Sequence, residues 1–219
     1  MGTLTIWSDI GCPWASLFVW RAHARRAALG LEGAVRFEHR CFPLELFNER
    51  PTPRAIVDAE IGVLARLVPE AGWRPWAGEA AAYPVTTLPA LEAVQAAKEQ
   101  GGGTSERLDL ALRQALWRDS RCVSLRHEIL AVADAAHVDV KALAEALDDG
   151  RARRLVIADW QAATDGAAQG SPHVYAAPGD GVMNPGISQH WEGPKPGGRP
   201  VVESDDVTAV DGLLRQAAG

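Results

Sequence analysis

The spacing of apolar positions changes several times along the chain. Leu4, Ile6 and Trp7 lie in a β-prone run, which predicts a short strand at the start. Trp14, Leu17 and Phe18 then recur at helical spacing toward Leu29. Arg21, Arg25 and Arg26 fall in the C-terminal half of that helix, where cations suit its dipole, and Gly30 supplies the stop. Val35, Phe37, His39 and Cys41 alternate with Arg36, Glu38 and Arg40, the period-two pattern of a strand with one buried face. A strand, helix, strand sequence of this length is a right-handed unit with parallel strands, their C-terminal ends together. That arrangement places Cys41 in the neighbourhood of Cys12.

From Pro53 to Asp165 the pattern is helical. Val57, Ile61, Leu64 and Val68 make one stripe, which Pro69 ends. Leu91 and Val94 mark a helix running from about Pro89 to Gly101, and Leu108, Leu112 and Leu116 mark the next. Ser124 is expected to cap a helix carrying Ile129 and Val132, and Asp139 to open one with Leu143 and Leu147. Gly150 separates that from a last helix around Leu155, Ala158 and Ala162. The stretch from Trp73 and Trp76 to Pro84 has no period and reads as a loop whose tryptophans pack against the helices. Ser171 to Tyr175 and Val182-Met183 then predict a hairpin around Pro178-Gly179-Asp180-Gly181. Asn184-Pro185-Gly186 and Glu192 to Pro200 read as loops, with Ser204 capping a terminal helix that turns Val207, Val210 and Leu214 inward. The expected organisation is an α/β frame at 1–50 and 166–219, interrupted by an all-helical insertion at 51–165.

Composition narrows the possible roles. With 22 basic against 28 acidic residues the net charge is −6, and no basic block occurs, so nucleic acid and anionic membrane are poor partners. No window approaches the ~20 apolar residues of a membrane span. The start of the chain has no charged leader before its first strand, so a soluble, unexported protein is expected. Three cysteines at scattered positions, Cys12, Cys41 and Cys122, argue against a disulfide framework and suit a reducing cytoplasm. The six histidines are isolated from one another and from cysteine pairs, so no metal site is expected.

The chemistry concentrates where the first strand meets the first helix. Cys12 precedes Pro13, a proline at the first helical position, and is therefore the N-cap. A sulfur there faces unpaired backbone N–H groups and the positive end of the helix dipole, both of which favour a thiolate. Asp9, three residues earlier, opposes thiolate formation if it lies close. Trp14 is placed to wall a sulfur-bearing substrate. Cys122 falls in an inter-helix loop with no assigned role, and His173 and His190 stay outside the catalytic set.

The order β-α-β, helical insertion, β-β-α, with Cys-Pro-X-X opening the first helix and X-Pro opening the third strand, resembles the DsbA family of thioredoxin-fold proteins. Within it, the chain is similar to the FrnE-like and 2-hydroxychromene-2-carboxylate isomerase-like branch. The residues carrying the resemblance are Ser8-Asp9-Ile10-Gly11-Cys12-Pro13-Trp14, Pro84-Val85-Thr86 with the helix after it, the helix and loop from Ala115 to Val123, and Gly170-Ser171-Pro172. The resemblance implies a thioredoxin-like fold and a cis Pro172 facing Cys12. It also implies that the backbone of Ser171 is free to pair with a substrate peptide or a glutathione-like thiol. Cys12 is then the catalytic residue, with Pro13, Trp14, Ser171 and Pro172 binding substrate.

One departure from the family redirects the mechanism. Redox-active members carry Cys-X-X-Cys, whereas this chain has Cys12-Pro13-Trp14-Ala15. A dithiol centre frees itself by closing its own bridge, while a lone thiolate waits in a mixed disulfide for another thiol. Three outcomes follow. In the first, Cys12 exchanges with a disulfide-bearing protein or small molecule, and an external low-molecular-weight thiol or Cys41 completes the cycle. Cys41 as resolver needs a Cα separation below ~7 Å, which neighbouring strands do not guarantee. In the second, as in isomerase and kappa-type transferase relatives, no cofactor is bound covalently, and Cys12 or Ser16 activates a bound glutathione-type thiol. Those relatives tend to have asparagine where this chain has Val85. In the third, the Pro172 groove binds a peptide or partner without turnover. The sequence leaves oligomeric state open.

Overall fold

The computed structural model describes residues 1–219. The frame begins with β1 (Gly2–Ser8), α1 (Pro13–Ala28) and β2 (Val35–Cys41). Seven helices follow: α2 (Leu44–Phe47), α3 (Arg54–Leu67), α4 (Leu88–Ala97), α5 (Gly102–Trp117), α6 (Arg126–Ala135), α7 (Val140–Asp148) and α8 (Arg151–Ala162); the short α2 buries no residue, α4 is buried from Ala90 to Ala97, and the others bury one face. The frame resumes with β3 (His173–Tyr175) and β4 (Gly181–Met183), followed by β5 (Ile187–Glu192), β6 (Arg199–Asp205) and α9 (Thr208–Ala218). The main sheet has the order β2-β1-β3-β4, with β1 parallel to β2 and antiparallel to β3, a thioredoxin-like arrangement.

One sheet face buries Leu4, Ile6, Phe37 and Val174 against Phe18 and Val19 of α1 and Leu214 of α9. The helical stretch shares its core with the frame: Ile10, Trp14 and Leu17 pack in the same cluster as Ile61, Leu112 and Ile129. The outer edge of β2 is closed by side chains from that stretch rather than by another strand. Glu106 accepts the Phe37 N–H at 2.8 Å and Asp159 accepts the Cys41 N–H at 2.8 Å, while Gln95 and Lys98 donate to the His39 carbonyl at 3.1 and 2.6 Å. Two outward N–H groups and one outward carbonyl of β2 are thereby satisfied by side chains, and the helical stretch covers this edge.

Several expected elements are present. Gly30 and Gly150 adopt positive φ at helix boundaries, and the Asp139 carboxylate accepts the Ala142 N–H. Trp73 meets Trp20 edge-on at 6.2 Å and Trp76 meets Tyr83 at 5.4 Å, so both serve packing. Four expectations change. Ser124 does not cap α6; its hydroxyl donates to the Thr86 carbonyl at 2.6 Å and ties the loop before α4 to the loop before α6. In α8 the buried stripe is Ala152, Val156 and Asp159, and Leu155 is 45% exposed, because Asp159 must face β2. Ser204 lies in β6 opposite Ser188, and the Asp206 carboxylate accepts the Thr208 N–H at 2.9 Å at the start of α9. Finally, 187–205 is a hairpin, with the Gly/Pro cluster confined to its turn. No helix is long and apolar enough to cross a membrane.

Candidate active site

The end of β1 leads through Asp9, Ile10 and Gly11 to Cys12, whose φ of −90° and ψ of 115° are those of an extended N-cap, with Pro13 beginning α1. The Asp9 carboxylate shapes this turn by accepting the Gly11 N–H at 2.7 Å, the Leu44 N–H at 2.8 Å and the Thr87 hydroxyl at 2.7 Å. Burial raises its pKa, against the pull of those three donors. Asp9→Asn replaces one accepting oxygen by a donor facing a donor, and is expected to cost about 1–3 kcal/mol in denaturant unfolding.

Across from the turn, the Ser171–Pro172 peptide bond is cis, as the resemblance implies. The Ser171 hydroxyl accepts the Asp9 N–H at 2.9 Å, and the Cys12 thiol donates to the Ser171 carbonyl at 3.2 Å. Cys12 is 4% exposed. Burial pushes its thiol up to about 11, and the charges of Glu60 and Asp9 push the same way, outweighing the Ser171 and Ala15 hydrogen bonds. The thiolate expected from the N-cap position is therefore not the resting state: with Cys12 4% exposed, burial outweighs the pull of the helix start. At neutral pH Cys12 is a protonated donor.

Cys12, Pro13, Trp14 and Ser171 line one cleft of about 310 Å³, within the ~300–1,000 Å³ of small-molecule sites. Pro172 lies behind it, beside Trp14 and Phe18. Cys41 does not line the cleft. It is 1% exposed at the end of β2, receives a hydrogen bond from Gln95 Nε2 at 3.2 Å, and burial raises its pKa well above the usual thiol value. Ser16 is also unavailable: its hydroxyl donates to the Cys12 carbonyl and accepts from Arg113 Nη1 and Trp117 Nε1, in full burial. Of the two residues considered for activating a bound thiol, only Cys12 reaches the cleft. Val85 is 71% exposed. Cys122 is half-buried, His190 pairs with Glu203 on the hairpin at 2.9 Å, and His173 accepts the Gln169 N–H; none of them lines the cleft.

The structure adds groups that sequence reasoning missed. Glu60 of α3 lines the cleft, accepts Trp191 Nε1 at 3.3 Å and lies 4.0 Å from Lys195 Nζ. Burial raises its pKa. Its signal was legible as a lone acid on the Val57, Ile61, Leu64 face of α3. Behind the turn, Arg113 is fully buried and donates to the Asp9 carbonyl at 3.0 Å, Ser8 Oγ at 2.8 Å and Asp109 Oδ1 at 2.7 Å. Asp109 and Arg113, four apart beside the Leu108, Leu112, Leu116 stripe, were a comparable anomaly.

A family model described as a DSBA-like thioredoxin domain matches residues 3–191. Among solved structures, the probable DsbA oxidoreductase of Streptomyces coelicolor superposes with a TM-score of 0.71 at 22% identity, covering 99% of this chain and 90% of that one. The cytosolic disulfide reductase DsbM of Pseudomonas aeruginosa, solved with GSH, gives 0.61 at 16% identity over 78% and 84%. A 2-hydroxychromene-2-carboxylate isomerase gives 0.59 at 13% identity over 83% and 88%. No curated protein matches the chain.

Proposed function

We propose, from the premise that the chain belongs to the DSBA-like thioredoxin domain family, that it performs monothiol thiol–disulfide exchange at Cys12 in a reducing, cytosolic setting. The observation that carries this reading is the Cys12 thiol at the α1 N-cap, 3.2 Å from the carbonyl that precedes the cis proline, in a cleft with no second cysteine. In the forward step Cys12 loses its proton, its sulfur attacks one sulfur of a disulfide, and the other sulfur leaves as a thiolate that takes up a proton. Cys12 is then held as a mixed disulfide. A second thiol attacks that bond and restores Cys12, with the two electrons supplied by the external thiol. The DsbM neighbour solved with GSH supports a glutathione-type thiol in this role.

Intact-mass analysis after exposure to glutathione disulfide tests the reading. Wild type is expected to gain one glutathionyl group that maps to Cys12, and Cys12→Ser none. Since the thiol is pushed up to about 11, the adduct rate should climb roughly tenfold per pH unit from pH ~7 to ~10 without a plateau. Absence of the adduct at every pH would overturn the exchange reading and leave a binding module.

A second reading has one observation in its favour. A protonated Cys12 is a hydrogen-bond donor, which is what stabilising the thiolate of a bound thiol cofactor requires, as in glutathione-dependent isomerases or kappa-like transferases. Saturable binding of reduced glutathione with no Cys12 adduct would favour it.

A further inference from the structure

We propose that the cavity between α1, α5 and α6 is a second ligand site, separate from the Cys12 cleft, and that it takes a nucleoside monophosphate. The base edge meets the Gln114 amide, and the phosphate meets Arg107. The monothiol reading is not needed for it.

The cavity holds about 470 Å³, within the ~300–1,000 Å³ of small-molecule sites, and shares no lining residue with the cleft at Cys12. Leu110 and Ala111 of α5 and Val132 and Ala135 of α6 give it an apolar lining, which suits the faces of a flat ring. Its polar lining is unmatched. Gln114 is 8% exposed, and neither its Nε2 nor its Oε1 has a hydrogen-bond partner. A buried amide left unmade is costly, and a polar ligand relieves that cost. Both atoms are covered in this state, so the side chain turns about its own torsions to reach a ligand, and it gives up no protein hydrogen bond in turning.

Whichever way round it stands, the amide presents a donor beside an acceptor. Its complement is an acceptor beside a donor on one rigid edge, which every nucleobase carries, and glutamine bonds adenine in this bidentate way. A carboxylate offers only acceptors and an ammonium only donors, so neither matches both atoms. His23 of α1 brings a second unpartnered buried atom, Nε2, to the same cavity. Burial pushes its pKa down to about 3, so this part of the lining is uncharged and suits the base rather than the phosphate.

The free charge lies two helical turns away. Arg107 stands seven residues before Gln114 on α5, about 10 Å along the axis at ~1.5 Å per residue, a span comparable to that from base to phosphate. Of the arginines lining the cavity, Arg118 pairs with Asp119 and Arg121 with Glu128. Arg107 bonds only neutral acceptors, the Ala136 and Gly103 carbonyls and the Thr104 hydroxyl, so its charge is uncompensated. One free guanidinium on a chain of net charge −6 suits a single small anion and not a polynucleotide.

Calorimetry on the full chain, with adenosine, guanosine, cytidine and uridine 5′-monophosphate as probes, tests the site. At least one is expected to bind saturably with a Kd below about 1 mM, and its nucleoside about tenfold more weakly. Arg107→Gln, an exposed change, should remove that difference and leave the nucleoside unaffected. Gln114→Leu should weaken nucleotide and nucleoside alike by about tenfold, and its urea midpoint should equal or exceed that of wild type because no orphaned amide remains. If Gln114→Leu does not fold, the Arg107→Gln comparison decides. Binding should be unchanged in Cys12→Ser. No saturable binding of any of the four, inorganic phosphate binding as tightly as the nucleotide, full affinity in Gln114→Leu, or loss of binding in Cys12→Ser would each overturn the inference.

Discussion

Arg113→Met should lower stability by about 3–5 kcal/mol, the cost of breaking a buried ion pair from one side. The Arg113 side chain is 1% exposed and its partner Asp109 2%. Removing the guanidinium leaves a carboxylate in the core with only His39 Nδ1, at 3.6 Å, in reach. In the wild type, burial pushes Asp109 up, but the Arg113 and His39 contributions outweigh it and hold the carboxyl below its ordinary value. That depressed pKa gives stability that is present above the unfolded value near 4 and is lost as pH falls through the folded value. In the variant the sign is expected to reverse, because with Arg113 gone burial outweighs the His39 contribution that remains. The deficit should therefore be largest near neutral pH and shrink as pH falls toward about 4. Urea unfolding across that range checks both magnitude and slope. Arg113→Met combined with Asp109→Leu should recover most of the loss, since two apolar groups leave no orphaned charge. A single-variant loss below about 1 kcal/mol would mean that Arg113 does not hold the Ser8–Asp9 turn in place.

The parts of the site written in adjacent residues were legible before any coordinates. Cys12 as N-cap, Pro13 at the first helical position and Gly30 as the stop are local signals, and each lies where expected. The alternation from Val35 to Cys41 placed β2 correctly because a strand buried on one face must repeat every second residue. What escaped depends on partners distant in the chain. Arg113 meets Asp9 and Ser8 more than a hundred positions away, and Glu60 meets Trp191 from the far side of the helical stretch. The hairpin escaped for a different reason. Its turn is dense in glycine and proline, and that density masked the half-buried Ile187, Gln189 and Trp191 alternating with exposed Ser188 and His190. The protonation state of Cys12 escaped as well: a helix start reads as a thiolate site only while water reaches it, and here Cys12 is 4% exposed, with Glu60 and Ser171, both distant in the chain, among the groups acting on it.

Ala15→Cys should turn the one-thiol centre into one that frees itself. Residue 15 is the fourth of the Cys12-Pro13-Trp14-Ala15 turn, in the first turn of α1. Position 15 is one helical turn from Cys12, so a sulfur there is expected to start close to the mixed disulfide. Attack there forms the 12–15 bridge and expels the glutathione thiol, with no external reductant consumed in that step. Ala15 is fully buried in the shared core, so the added sulfur is expected to cost about 1–3 kcal/mol. Followed by intact mass, wild type treated with glutathione disulfide should keep its adduct once the reagent is removed. The variant should lose the adduct spontaneously and end two hydrogens lighter than its reduced form. With an excess of dithiol reductant, turnover on a disulfide substrate should rise by roughly an order of magnitude, since the second thiol acts at an effective concentration in the millimolar range or above. An adduct that persists in Ala15→Cys, while Cys12 still reacts, would show that the helix start cannot bring the two sulfurs together. The missing cysteine would then be a consequence of the local geometry rather than the cause of one-thiol chemistry.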